Sequence, residues 1–145
     1  MSDKFFIDTN IFVYCFDNLQ PEKKAMSLSI IIDALKNGNG IISWQIIQEF
    51  LNVSTRKFSV PLKPDDAKVY LRKVLNPLCE VFPDLDLYQK AIDIQNNTGY
   101  SFYDSLVIAG ALRGDCNILY SEDLKNEHQV DGVKVINPFV SKSAR

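Results

Sequence analysis

Asp8 ends the apolar run Phe5-Phe6-Ile7 and is followed at once by Thr9-Asn10. Asp104 opens the helix-like stretch Ser105-Leu106-Val107-Ile108-Ala109, and Asp123 follows the strand-like Ile118-Leu119-Tyr120 by way of Ser121-Glu122. Glu49 sits among Ile46, Ile47, Phe50, Leu51 and Val53, apolar residues that recur at helical spacing. Carboxylates brought together repel one another, so a cluster of them persists only where protons or cations neutralise it. Oxygen-only ligands suit Mg²⁺ or Mn²⁺, and a metal-bound water is the usual means of attacking a phosphodiester. Rival chemistries lack their parts. His128 is the only histidine, and the chain has neither a glycine-rich phosphate loop nor a convincing Cys-His pair.

These acids are far apart in sequence, so the elements must bring them together. Phe5 to Ile7 reads as a strand and Ile11 to Phe16 as a short helix. Pro21 suits the first position of a helix that runs through Met26, Ile30, Ile31 and Leu35 to a stop at Asn37-Gly38. Gly40 to Ser43 reads as a buried strand, with Ser43 placed to cap the helix that carries Glu49. Pro64-Asp65-Asp66 opens a helix ending near Asn76-Pro77, Cys79 to Phe82 forms a short strand, and Leu85 to Asn97 a helix closed by Gly99. Ser101 caps the helix of Asp104, which ends at Arg113-Gly114-Asp115, and Ile118 to Tyr120 and Val133 to Ile136 are two last strands.

Strands alternating with helices predict an α/β fold with a mainly parallel sheet. In such a sheet each helix begins at the carboxyl edge of the strands, where ligands bind. Asp8, Asp104 and Asp123 all fall on that edge. Glu49 lies roughly 9 Å down its helix from Ser43 at 1.5 Å per residue, and must lean back toward the rim.

Each residue also has a plainer role. Ser101-x-x-Asp104 is the spacing of a capping box, and Asp8 or Asn10 could cap the helix after them. Ser121 reads as a turn residue, Glu122 as an ordinary loop acid and His128 as a solvated one. Tyr100, Phe102 and Tyr103 read as packing, with base stacking the lesser alternative. A Glu buried without a partner is rare, which favours a function for Glu49. The shared edge carries more weight than any one acid.

The chain has 145 residues, 46% hydrophobic and 23% charged, a net charge of -2 and a pI of about 5.3. One core of ordinary size is expected, spanning residues 1–140, with 141–145 as a frayed tail. No basic arm advertises nucleic-acid binding, so that role would rest on a local site. Three cysteines without close spacing, no signal-peptide core and no long apolar run predict a cytoplasmic protein with no membrane association.

The ordered set of motifs resembles the PIN domain, a family of metal-dependent ribonucleases, and most of all the VapC-type toxins of toxin–antitoxin systems. Phe6-Ile7-Asp8-Thr9-Asn10-Ile11 resembles the family's opening strand and first acid, and Glu49 matches the acid on the helix after the second strand. Ser101-Phe102-Tyr103-Asp104-Ser105-Leu106 and Ser121-Glu122-Asp123-Leu124 resemble the third and last motifs, and Asn137-Pro138-Phe139 is similar to one subgroup. The resemblance implies a three-layer α/β/α sandwich and a Mg²⁺ site formed by Asp8, Glu49, Asp104 and Asp123, shaped by Asn10 and Ser121. It also implies RNA cleavage leaving a 5′-phosphate and a 3′-hydroxyl, homodimerisation, and inhibition by a cognate antitoxin. Asn126-Glu127-His128 departs from the glycine turn common in similar sequences.

Three alternatives stand beside this reading. A housekeeping PIN nuclease would share the chemistry without the antitoxin. A haloacid-dehalogenase-type phosphatase needs a second Asp two residues after the first, where this chain has Asn10. A phospho-receiver would carry its acceptor at the end of a mid-chain strand, and Asp8 comes too early.

Overall fold

The computed structural model describes residues 3–140; the segment 141–145, expected as a tail, lies outside the described residues. Six strands form one sheet in the order β3-β2-β1-β4-β6-β5. They are β1 (Phe5–Ile7), β2 (Gly40–Ser43), β3 (Cys79–Val81), β4 (Ile118–Tyr120), β5 (Gln129–Val130) and β6 (Val133–Ile136). All neighbours pair in parallel except β5 and β6. β1 lies between β2 and β4, with Phe6 opposite Ile41 on one side and Leu119 on the other.

Among the described residues, seven α-helices connect the strands: α1 (Thr9–Tyr14), α2 (Pro21–Asn37), α3 (Trp44–Arg56), α4 (Pro64–Tyr70), α5 (Asn76–Leu78), α6 (Leu85–Thr98) and α7 (Phe102–Arg113). The chain steps from β1 to β2 to β3 in one direction and then crosses back to β4 on the far side of β1. Right-handed crossovers therefore place α1 to α5 on one face and α6 with α7 on the other. This is the expected three-layer α/β/α sandwich.

Both faces of the sheet are dry. Phe6, Ile7, Ile41, Ile42 and Leu119 are fully buried, as are Phe12, Ile46 and Phe50 from the helices above them. On the other face α7 lies flat against the strands through Gly110 and its C-cap, Gly114. A Cβ at Gly110 would stand 3.3 Å from the Phe6 ring, and one at Gly114 would collide with Ile41. Gly114→Val is expected to destabilise the fold by about 1–3 kcal/mol through overpacking. Urea unfolding would check it, and an unchanged midpoint would mean that α7 has room to shift.

Most element starts agree with the sequence reading, including Pro21, Pro64, Leu85 and the Ser101 cap of α7. Three features differ. The helix from Pro64 does not run smoothly to Asn76-Pro77; a π-helical stretch, Leu71–Leu75, intervenes. Pro77 has no N–H to donate back along the helix and its ring crowds the preceding turn, which the wider π turn accommodates. Ser43 has the extended backbone of an N-cap, yet its hydroxyl makes no cap bond. Strand β5 was not expected; Asp131 and Gly132, both at positive φ, turn it back onto β6 as a two-residue hairpin.

Candidate active site

The carboxyl ends of β1 and β4 lie side by side at the point where the strand order reverses, the natural ligand crevice of an open parallel sheet. Pairing continues one residue past β1, with the Asp8 N–H donating to the Tyr120 carbonyl at 3.0 Å. Asp8 and Ser121 are thereby held opposite each other. The Ser121 hydroxyl, fully buried, donates to Asp8 Oδ2 at 2.7 Å, and the Thr9 N–H donates to Oδ1 at 2.8 Å. Asp8 is the N-cap of α1, so its plainer role is met by the Thr9 N–H.

Asp8 is only 6% exposed. Burial pushes its carboxyl up to about 7; the bonds from Ser121 and Thr9 pull the other way, and the charges of Asp123 and Glu49 add to the rise. A buried acid facing two further acids is what a cation site looks like before neutralisation.

Glu49 reaches the rim as required. Thr9 Oγ1 donates to Glu49 Oε1 at 2.6 Å, and Gln45 Nε2 donates to Oε2 at 3.2 Å, so both of its oxygens are held by the protein. The same Gln45 amide donates to the Tyr103 carbonyl at 3.1 Å, tying α3 to the first turn of α7. Asp123, exposed in the loop after β4, accepts from Asn10 Nδ2 at 3.0 Å, and its own N–H donates to Ser121 Oγ at 3.2 Å. Asn10 and Ser121 thus both bond to acids of the cleft.

Asp104 stands apart. Its N–H donates to Ser101 Oγ at 3.1 Å, among the described residues its half-buried carboxylate accepts no hydrogen bond, and its charge is not among those that raise the Asp8 carboxyl. The capping box is therefore half-formed: Ser101 caps, and among the described residues no return bond runs from the Ser101 N–H to the Asp104 carboxylate. Among the described residues, no three acids close tightly enough to enclose one ion. The donor set nonetheless fits a hard cation, since all candidate ligands are oxygens and Mg²⁺ takes only one or two protein carboxylates, with waters completing its shell.

Thr9 and Gln45 escaped the sequence reading. Gln45 had a signal, since it lies four residues before Glu49 and so on the same helix face. Glu122 is no ordinary loop acid: Lys23 Nζ and Tyr14 Oη each donate to it at 2.5 Å. Burial alone would raise its carboxyl, and these bonds override that and hold it below its usual value. His128 is not free in solvent either; it is half-buried, with Nδ1 2.8 Å from the Tyr100 hydroxyl. Tyr100 and Phe102 pack as expected, whereas Tyr103 is 66% exposed.

The PIN domain family description matches residues 5–129. With the fold and the ordered acids it covers, the chain belongs to the PIN domain family. Solved structures share the architecture. A toxin–antitoxin complex from Klebsiella pneumoniae aligns with TM-score 0.66 at 14% identity, over 94% of this chain and 98% of that one. The sarcin-ricin-loop-cleaving toxin VapC20 of Mycobacterium tuberculosis aligns with TM-score 0.61 at 16% identity, over 83% and 90%. FitAcB from Neisseria gonorrhoeae aligns with TM-score 0.58 at 17% identity, over 92% and 97%. Among curated proteins, none matches the sequence.

Proposed function

We propose that this protein is a Mg²⁺- or Mn²⁺-dependent endoribonuclease, acting in the cytoplasm as the toxin of a toxin–antitoxin pair. The observation that carries the proposal is the buried Asp8 at the switch point, faced by Glu49 and Asp123 with no described cation to neutralise them. The family and its structural likenesses support the same reading; two of those are complexes or toxins by their own descriptions.

Of the four acids Asp8, Glu49, Asp104 and Asp123, one or two would hold the cation directly, Asp8 first among them, and the others would meet it through its waters. When bound, the cation lowers the pKa of a coordinated water and offsets charge on the phosphodiester under attack. Ser121 and Thr9 fix the two oxygens of Asp8. Thr9 and Gln45 fix those of Glu49, leaving its carboxylate aligned to accept a proton at the rim.

Incubation of structured and unstructured RNAs with Mg²⁺ or Mn²⁺, and with EDTA, tests the reading. Cation-dependent internal cleavage leaving 5′-phosphate ends is the expected result; turnover of acetyl phosphate or a generic phosphatase substrate without RNA cleavage would sink it. The receiver alternative is already weakened by the strand order, because β1 reaches β4 directly. Gln45→Leu is expected to lower cleavage by about 10–100-fold, the usual cost of losing a partner that orients a ligand. Unchanged turnover would show that Thr9 alone suffices to place Glu49.

A homodimer and an antitoxin belong to the same proposal. Beside the cleft lies a groove of about 480 Å³ whose walls carry no charged side chain. Trp44, Tyr88 and Tyr103 line it at 46%, 40% and 66% exposure, an aromatic composition typical of interface centres. The uncompensated acids suit an arginine of the antitoxin, which pairs bidentately with carboxylates. Co-expression with the neighbouring gene followed by affinity purification tests the antitoxin. Light scattering of wild type against Tyr88→Glu tests the dimer, since a charge in the groove should leave a monomer.

A further inference from the structure

Asp123 hangs from a loop that has no regular structure between β4 and β5, and among the described residues its carboxylate accepts one hydrogen bond, from Asn10. The preceding residue is far more firmly held. Glu122 takes the Tyr14 hydroxyl on Oε1 and the Lys23 ammonium on Oε2, each at 2.5 Å. Lys23 also reaches the Tyr14 hydroxyl at 3.3 Å and lies over the rings of Tyr14 and Phe139, 4.8 and 5.4 Å from their centroids. Phe139 in turn packs edge-on against Tyr14, their centroids 5.1 Å apart.

A surface ion pair contributes little by itself. This one is different in kind, because Lys23 meets a carboxylate, a phenol and two aromatic faces at once, and it joins α1, α2, the loop and the C-terminal segment. The loop has further ties beyond it. Asn126 Oδ1 accepts from the Asn137 N–H at 2.8 Å, and the Tyr100 hydroxyl accepts from the Lys125 N–H at 3.3 Å. Asp123 lies between these anchors, with its N–H turned onto Ser121 Oγ.

We propose that Lys23, acting with Tyr14 through Glu122, is a positioning residue that fixes the direction of the Asp123 carboxylate and so governs how tightly the cleft takes a divalent cation. The proposal rests on the cation-dependent reading above. It has a sign that simple electrostatics does not share. Lys23 is a positive charge near an acidic cleft, so its removal by charge alone would tighten cation binding. If its role is to hold the loop, removal weakens binding instead.

Titration calorimetry with Mn²⁺ alone, on metal-free full-length protein, reads this directly. Lys23→Met is expected to bind Mn²⁺ about tenfold more weakly than wild type, the lower end of the cost of losing an outer partner of a metal ligand. Lys23→Arg should recover most of the affinity. Lys4→Met, which breaks the exposed Lys4–Glu80 pair, should change nothing. Amide exchange at Asp123, whose N–H bond to Ser121 reports the turn itself, should quicken in Lys23→Met and return in Lys23→Arg. Unchanged or tighter Mn²⁺ binding, or a lowered melting temperature with wild-type affinity, overturns the proposal. Should wild type take up no Mn²⁺, the cation reading falls, and wild-type exchange at Asp123 in Lys23→Met would remove the clamp as well.

Discussion

Asp8→Asn should abolish cation-dependent RNA cleavage while leaving the protein folded. The loss should exceed the roughly 10–100-fold that follows removal of an orienting partner, because on the proposed reading a ligand itself is neutralised. The fold should survive, since Asn is as good a helix N-cap as Asp, and its amide oxygen can still accept from Thr9 or Ser121. Asp104→Asn is the sharper companion. Among the described residues the Asp104 carboxylate accepts no hydrogen bond, and the Ser101 cap uses the Asp104 N–H, which the substitution leaves in place. A large loss of cleavage in Asp104→Asn at an unchanged melting temperature would identify the carboxylate as functional. Wild-type cleavage by both folded variants would move the site elsewhere.

The metal-free protein should be markedly more stable at pH 5 than at pH 8. Burial, reinforced by Asp123 and Glu49, raises the Asp8 carboxyl from an ordinary 3.8 to about 7 in the folded state. Between those values the native chain keeps a proton that the unfolded chain has released. The associated stability is therefore complete at low pH and lost as pH rises toward 7, by on the order of 4 kcal/mol in all. Asp84 is displaced in the opposite sense, to about 2 by Arg113 and the Leu87 N–H, and so titrates below this window. Asp8→Asn removes the titrating group, so its stability in EDTA should vary little across the window and exceed that of wild type at pH 8. Saturating Mg²⁺ or Mn²⁺ at pH 8 should restore wild type by about 2.7 kcal/mol at a hundredfold excess over Kd, and Asp8→Asn much less. Equal wild-type melting temperatures at pH 5 and pH 8 in EDTA would contradict this account.

Local chemistry made much of this structure legible in advance. Proline at the first helical position marked α2 and α4, Ser101 marked α7, and the position of Asp8 at a strand end led directly to the carboxyl edge. What escaped depended on partners distant in sequence. Nothing near Lys23 announces Glu122, 99 residues away, and nothing near Thr9 announces Glu49, 40 residues away. The π-helical stretch before Pro77 reflects a crowded turn that periodicity does not register. The hairpin at Asp131-Gly132 is a different case: its turn residues were a local signal, overlooked because β5 is only two residues long.

β1, the first strand of the chain, finds one of its two neighbours in β4, made more than a hundred residues later. The Asp8–Ser121 bond spans 113 residues and the Asn10–Asp123 bond the same number. A chain still being synthesised therefore carries Asp8 and Glu49 early but has no second wall for the cleft. Contacts this non-local form late, after the entropy of closing a long loop has been overcome. Birth order thus leaves a nascent chain with no complete acid cleft until β4 folds back onto β1.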